Sequence, residues 1–130
     1  MSTPQRNSAC VVPVDPSTAD ILRRQTLVVL EANHYYFEEI LEFGPEAQHA
    51  LSVIYRDAFA VLDAIGWRRP EEPSTVEVAF TAGFIEQLHR RRFDLGHTNI
   101  DRVSQESWDQ AVVDRDREAA ITLDRLLAQV

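Results

Sequence analysis

Glycine occurs only four times in 130 residues, and three of the four, Gly44, Gly66 and Gly96, stand at the ends of long stretches with helical periodicity. That punctuation limits the chain to a few helices joined by short links. At Gly44-Pro45 one helix ends and the next begins, because the residue before a proline is pushed out of the helical region while the ring itself suits a first turn. Gly66 closes the second stretch and opens the loop Trp67-Arg68-Arg69-Pro70-Glu71-Glu72-Pro73. Ser74-Thr75-Val76-Glu77 then reads as a capping box, in which a hydroxyl and a carboxylate satisfy the free amides of a helix start. Ser17, three residues before Asp20, and Ser104 offer the other starts. The spacing predicts helices over 17–43, 45–65, 74–95 and from 104 to near the C-terminus, with a short capped turn over 98–101 and no strand. Residues 1–16, carrying Pro4, Pro13 and Pro16 among polar side chains, read as a flexible N-terminal arm. The expected fold is all-α: a compact antiparallel bundle of four main helices forming one domain over 17–130, with no internal repeat.

Placing side chains at roughly 100° per residue shows which faces are apolar. On the first helix Leu22, Val29, Asn33, Tyr36, Ile40 and Phe43 form one row and Leu27, Leu30, His34, Phe37 and Leu41 another, which predicts burial on most sides. The second helix has one clean stripe, Ala47, Leu51, Ile54, Ala58, Val61 and Ile65, with His49, Arg56 and Asp63 opposite. The third is expected to bury Phe80, Phe84, Ile85 and Leu88. The fourth is expected to bury Trp108, Val112, Ala119, Leu123, Leu126 and Val130. The wide apolar arc of the first helix exceeds what one bundle needs, so a homodimer or a protein partner is the expected association.

Charge excludes several classes. All 13 basic residues are arginine and none is lysine, which removes Schiff-base chemistry and phosphate-loop lysines. With a net charge of −8 and no basic tract longer than Arg90-Arg91-Arg92, the chain lacks the positive face that nucleic-acid backbone requires. The longest apolar run, Ala58 to Leu62, is far short of a membrane span, and residues 1–20 lack a secretory pattern. The lone Cys10 excludes a disulfide framework, and a cytoplasmic location is the expectation. The charge is also polarised: no basic residue lies between Arg24 and Arg56, where Glu31, Glu38, Glu39, Glu42 and Glu46 gather, while nine arginines follow residue 65. Arginine's planar fork favours carboxylate pairing between helices or subunits.

Three of the four histidines follow a glutamate by three residues: Glu31/His34, Glu46/His49 and Glu86/His89. On a helix such pairs project to one side, as metal ligands in bundle cores do. In motif the chain resembles the ferritin-like di-iron carboxylate bundles, a likeness confined to these few positions. It departs from them in having three motifs, two of them on consecutive helices, with His49 opposite its helix's apolar stripe. The resemblance implies a divalent transition metal as cofactor, and the faces on which they lie make Glu31, His34, Glu38, Glu86, His89 and Asp116 the candidate ligand set. Against it, each histidine is accounted for as a core-edge, boundary or solvent-facing residue, and Asp116 as the partner of Arg91 or Arg92. Arg92 and His97 share the Arg-x-x-x-x-His spacing of HEPN-type ribonucleases, but Phe93 stands where those motifs carry a polar residue, Gly96 interrupts the helix and the acidic surface opposes RNA. Finally, Tyr36, Phe37, Phe80, Phe84 and Trp108 are candidates to line a small apolar ligand pocket anchored by His34. No catalytic residue set is evident.

Overall fold

The computed structural model describes residues 10–66, 75–96 and 110–130. In chain order the elements are strand β1 (Cys10–Val14), helices α1 (Pro16–Tyr35), α2 (Phe37–Glu42) and α3 (Pro45–Ile65), strand β2 (Val76–Phe80), and helices α4 (Ala82–Asp94) and α5 (Gln110–Leu127). The fold is mainly helical, a bundle in which α1 packs on α3, α4 and α5, and β1 and β2 form a small antiparallel sheet against α3. α1 and α3 run antiparallel: Arg23, early in α1, donates from Nε to the Gly66 carbonyl at 2.8 Å, while Glu31 and His34, late in α1, face Tyr55 and Phe59.

The α3 boundaries, Pro45 and Ile65, match those read from Gly44-Pro45 and Gly66. The two strands do not match the expectation. Residues 10–14 are part of β1, not of a flexible arm, and Val76–Phe80 is β2, not the first turn of a helix. Both segments alternate with period two, so Val12, Val14, Val78 and Phe80 point inward and are fully buried. Pro13 is tolerated because a two-stranded ribbon has a free edge on each side. Helix α4 consequently starts at Ala82, capped by Thr81, whose Oγ1 accepts from the Phe84 amide at 3.2 Å. At α1 the cap is Asp15, not Ser17: its carboxylate accepts from the Thr18 amide at 2.8 Å, and Pro16 occupies the first turn. Residues 67–74 and 97–109, including Trp108, Ser104 and the expected 98–101 turn, lie outside the described residues.

The first helix is also shorter than its periodicity suggests. It stops at Tyr35, Tyr36 takes a non-helical conformation, and α2 restarts at Phe37. Three consecutive aromatic residues, each losing side-chain freedom against the preceding turn, mark this break. Burial on α1 ends at Val29, and α2 buries none of its six residues. The expected burial of Tyr36, Phe37, Leu41 and Phe43 is therefore not met; all four are exposed. Val130, expected in the core, is exposed as well.

The unit strand–cap–helix occurs twice, 66 residues apart, against the expectation of no repeat. Val12 pairs with Val78 in the sheet, Asp15 and Thr81 cap in the same way, and Leu22 and Leu88 are both fully buried. Gln25 and Arg91, also 66 apart, hydrogen-bond to each other at 2.7 Å. Two equivalent pairs in mutual contact, one in the sheet and one between α1 and α4, place a local two-fold axis through both. Between residues 10–30 and 76–96, sequence identity across this relation is confined to Val12/Val78, Leu22/Leu88 and Arg24/Arg90.

Candidate functional site

Two surfaces stand out once the core is accounted for. The first is a cleft of about 310 Å³ between α1, α4 and α5. From α1 it takes Ile21, Arg24, Gln25, Leu27 and Val28, from α4 Arg91, and from α5 Arg115, Asp116, Glu118 and Ala119. Across the two-fold axis lies a smaller cavity of about 210 Å³, whose α4 residues Gln87, Arg90, Arg91 and Asp94 are the counterparts of Ile21, Arg24, Gln25 and Val28. Only the larger cleft is walled by α5, which contributes Asp116 at 8% exposure. Among the described residues the Asp116 carboxylate has no hydrogen bond and no ion pair. The Arg91 guanidinium donates from Nε to Gln25 Oε1, and Gln25 is as buried as Asp116. Burial pushes the Arg91 pKa down, against the opposing pull of Asp116 and Asp94. It remains a cation at neutral pH all the same.

The second surface lies where α1, α2 and α3 meet. Leu30, Glu31, His34, Phe37, Tyr55 and Phe59 line an open apolar groove of about 380 Å³. Nearby in the chain, Tyr35 is 79% and Phe43 81% exposed, while Tyr36 lies on the side of α1 that faces the smaller cavity. Tyr35 and Tyr36 meet edge to face with centroids 4.9 Å apart, and His34 and Phe37 lie 6.2 Å apart. Among the described residues the buried Tyr55 hydroxyl has no hydrogen-bond partner.

The metal set expected from the Glu-x-x-His motifs is not assembled. Glu31, His34 and Glu38 share the α1–α2 end of the molecule, whereas Asp116 lies in the α5 cleft and Glu86 pairs with Arg90 on the exposed face of α4 at 3.1 Å. His89 is exposed on α4. Among the described residues no three His, Cys, Asp or Glu side chains are arranged to hold a metal ion. The reason is local: Glu31 and His34 sit beyond the last buried residue of α1, so they project past the bundle instead of into it.

The aromatic ligand pocket is likewise not formed as expected. Phe80 and Phe84 are fully buried and stack on each other at 5.6 Å. Tyr36 and Phe37 lie on the exposed end, and Trp108 is outside the described residues. Of the expected partners of Asp116, Arg91 shares its cleft without pairing to it, while Arg92 binds Asp124 on α5 at 2.9 Å. Cys10, expected in a mobile tail, sits in β1 with Sγ donating to the Gln129 carbonyl at 3.6 Å.

No protein-family model, no curated protein and no solved structure matches the chain. Among the described residues no helix is long and apolar enough to cross a membrane. Gln25 and Tyr55 escaped the sequence reading. Gln25 did carry a signal, being a polar residue placed between Ile21, Leu22 and Val29 on an apolar face; Tyr55 carried none, since a tyrosine flanking an apolar stripe is ordinary packing.

Proposed function

We propose that the protein works by association, docking a basic amphipathic segment of a protein partner on the aromatic end formed by α1, α2 and α3. The observation that carries this reading is α2, a helix that presents Phe37, Ile40 and Leu41 yet buries no residue. With Tyr35, Phe43 and Phe59, the exposed apolar side chains amount to on the order of 500 Å², taking aromatic side chains at roughly 200 Å² each. A standard interface uses about 800 Å² per partner. Charge selects the occupant. Glu31, Glu38, Glu39, Glu42 and Glu46 surround this end and no basic residue lies between Arg24 and Arg56. A second copy docked face to face would set these acids against themselves, whereas lysine or arginine on a partner helix would meet them.

The test uses an 18-residue helical peptide of leucine and lysine with its leucines on one face, a scrambled peptide of equal composition, and a leucine–glutamate counterpart. Titration followed by NMR is expected to move the resonances of Tyr35, Phe37, Phe43 and Phe59 with the first peptide alone. Affinity should fall at least about tenfold in Phe37→Ala/Phe43→Ala and should weaken with added salt. Equal binding of the scrambled peptide overturns the reading. So does light scattering that shows the chain dimerising through the same residues, which would make the occupant a second copy.

A further inference from the structure

The α1–α4–α5 cleft is a separate matter from the association surface, and its oddity is electrostatic. It holds a half-buried cation, Arg91, and a buried carboxylate, Asp116, that do not pair. Arg91 is anchored by its Nε to Gln25, which leaves its two Nη groups for other acceptors. The Asp116 carboxylate, on a residue 8% exposed, accepts no hydrogen bond from any described residue and opens onto the cleft. Buried carboxylates ordinarily pair, and an arginine within electrostatic reach would ordinarily be their partner. Here the Gln25 amide holds the guanidinium side-on to α1, and a cavity of about 310 Å³ occupies the space around the two charges.

We propose that this cleft binds a small zwitterion, an α-amino acid with an aliphatic side chain. The ligand carboxylate is taken by the Arg91 Nη groups and its ammonium by Asp116. Ile21, Val28 and Ala119 supply apolar wall for the side chain. A simple anion is disfavoured because it must approach the Asp116 carboxylate, and a simple cation because it must approach Arg91; a molecule carrying both charges answers each. The rim adds Arg24, Arg115 and Glu118, so the whole lining sets three arginines against two carboxylates, and neither sign is absent. The related cavity across the two-fold axis shares Arg91 and carries Asp94, but α5 does not reach it, Asp94 is exposed, and Arg90 is already paired with Glu86.

The experiment is a calorimetric and NMR titration of the full chain with three probes: L-leucine, 4-methylpentanoate, which keeps the carboxylate alone, and 3-methylbutylamine, which keeps the amine alone. L-leucine is expected to bind saturably and to shift the Gln25 side-chain amide and the Ala119 methyl. Each single-charge analogue should bind at least about tenfold more weakly. Arg91→Gln and Asp116→Asn should each lower leucine affinity by a similar factor, with their effects on the two analogues split: the first spares the amine and the second spares the carboxylate. Absence of saturable leucine binding up to roughly 10 mM, tenfold above a millimolar Kd, overturns the proposal. Equal affinity for leucine and 4-methylpentanoate also overturns it, by removing Asp116 from the site. Should the variants fail to fold, the three-probe comparison on the unaltered chain decides the matter in the same way.

Discussion

Asp15 and Thr81 perform one task at two helix starts, and the difference between a carboxylate and a hydroxyl has a measurable consequence. The Thr18 amide, the Thr18 hydroxyl and Ser17 hold the Asp15 carboxyl below its usual pKa. A depressed folded-state pKa contributes stability that is complete above the unfolded value of about 3.9 and is lost as pH falls through the lower folded value. Asp15→Asn keeps an oxygen acceptor but cannot titrate. In urea unfolding, the stability difference between the two proteins should therefore be constant from neutral pH to about pH 5 and should shift below about pH 4 at the expense of the wild type. A difference that stays constant to about pH 2 would mean that the cap carboxyl titrates alike in the folded and unfolded chains. Thr81 is constrained differently. Its hydroxyl donates to the Asp57 carboxylate at 2.7 Å while accepting from Phe84, so it links α3 to α4 as well as capping. Asp57 stood beside an apolar stripe in the sequence, and nothing local marked it as buried; its burial follows from this hydroxyl and from Arg56 at 3.2 Å.

At the scale of elements, legibility followed how local each signal was. The α3 ends were readable because a Gly-Pro pair and a glycine with positive φ act within one turn. The α1–α2 break was not readable. The apolar rows continue through Tyr36 to Phe43, and a periodic pattern cannot say whether its face meets a core. The capping box at Ser74–Glu77 was misleading because the same residues also satisfy a period of two, and pairing with β1 favoured the strand. α2, held by contacts to α1 and α3 with no buried side chain, should open most readily among the described helices. Native-state hydrogen exchange should show the Ile40 amide, bonded to the Tyr36 carbonyl at 2.9 Å, at least about tenfold less protected than amides in the middle of α3. Equal protection would contradict the picture of α2 as a helix awaiting cover.

For the molecule as a whole, the repeated strand–cap–helix unit predicts that equivalent positions carry equivalent weight. Leu22→Ala and Leu88→Ala each remove a fully buried side chain beside the two-fold axis, and each should cost about 2–5 kcal/mol in urea unfolding. The two costs should agree within about 2 kcal/mol, the spread that buried Leu→Ala changes show. A large inequality would mean that the two halves share geometry but not load. By itself the sequence determined the helical periods, the stops at Gly44-Pro45 and Gly66, the buried stripe of α3 and the separation of acidic from arginine-rich segments, because each is set by residues within a few turns of one another. Only the tertiary structure decided that residues 10–14 pair with 76–80, that Gln25 meets Arg91, that Asp116 is buried apart from a partner and that the aromatic end of α1 is left uncovered. Those outcomes join residues tens of positions apart, and which of many chemically acceptable partners is met depends on how whole helices pack.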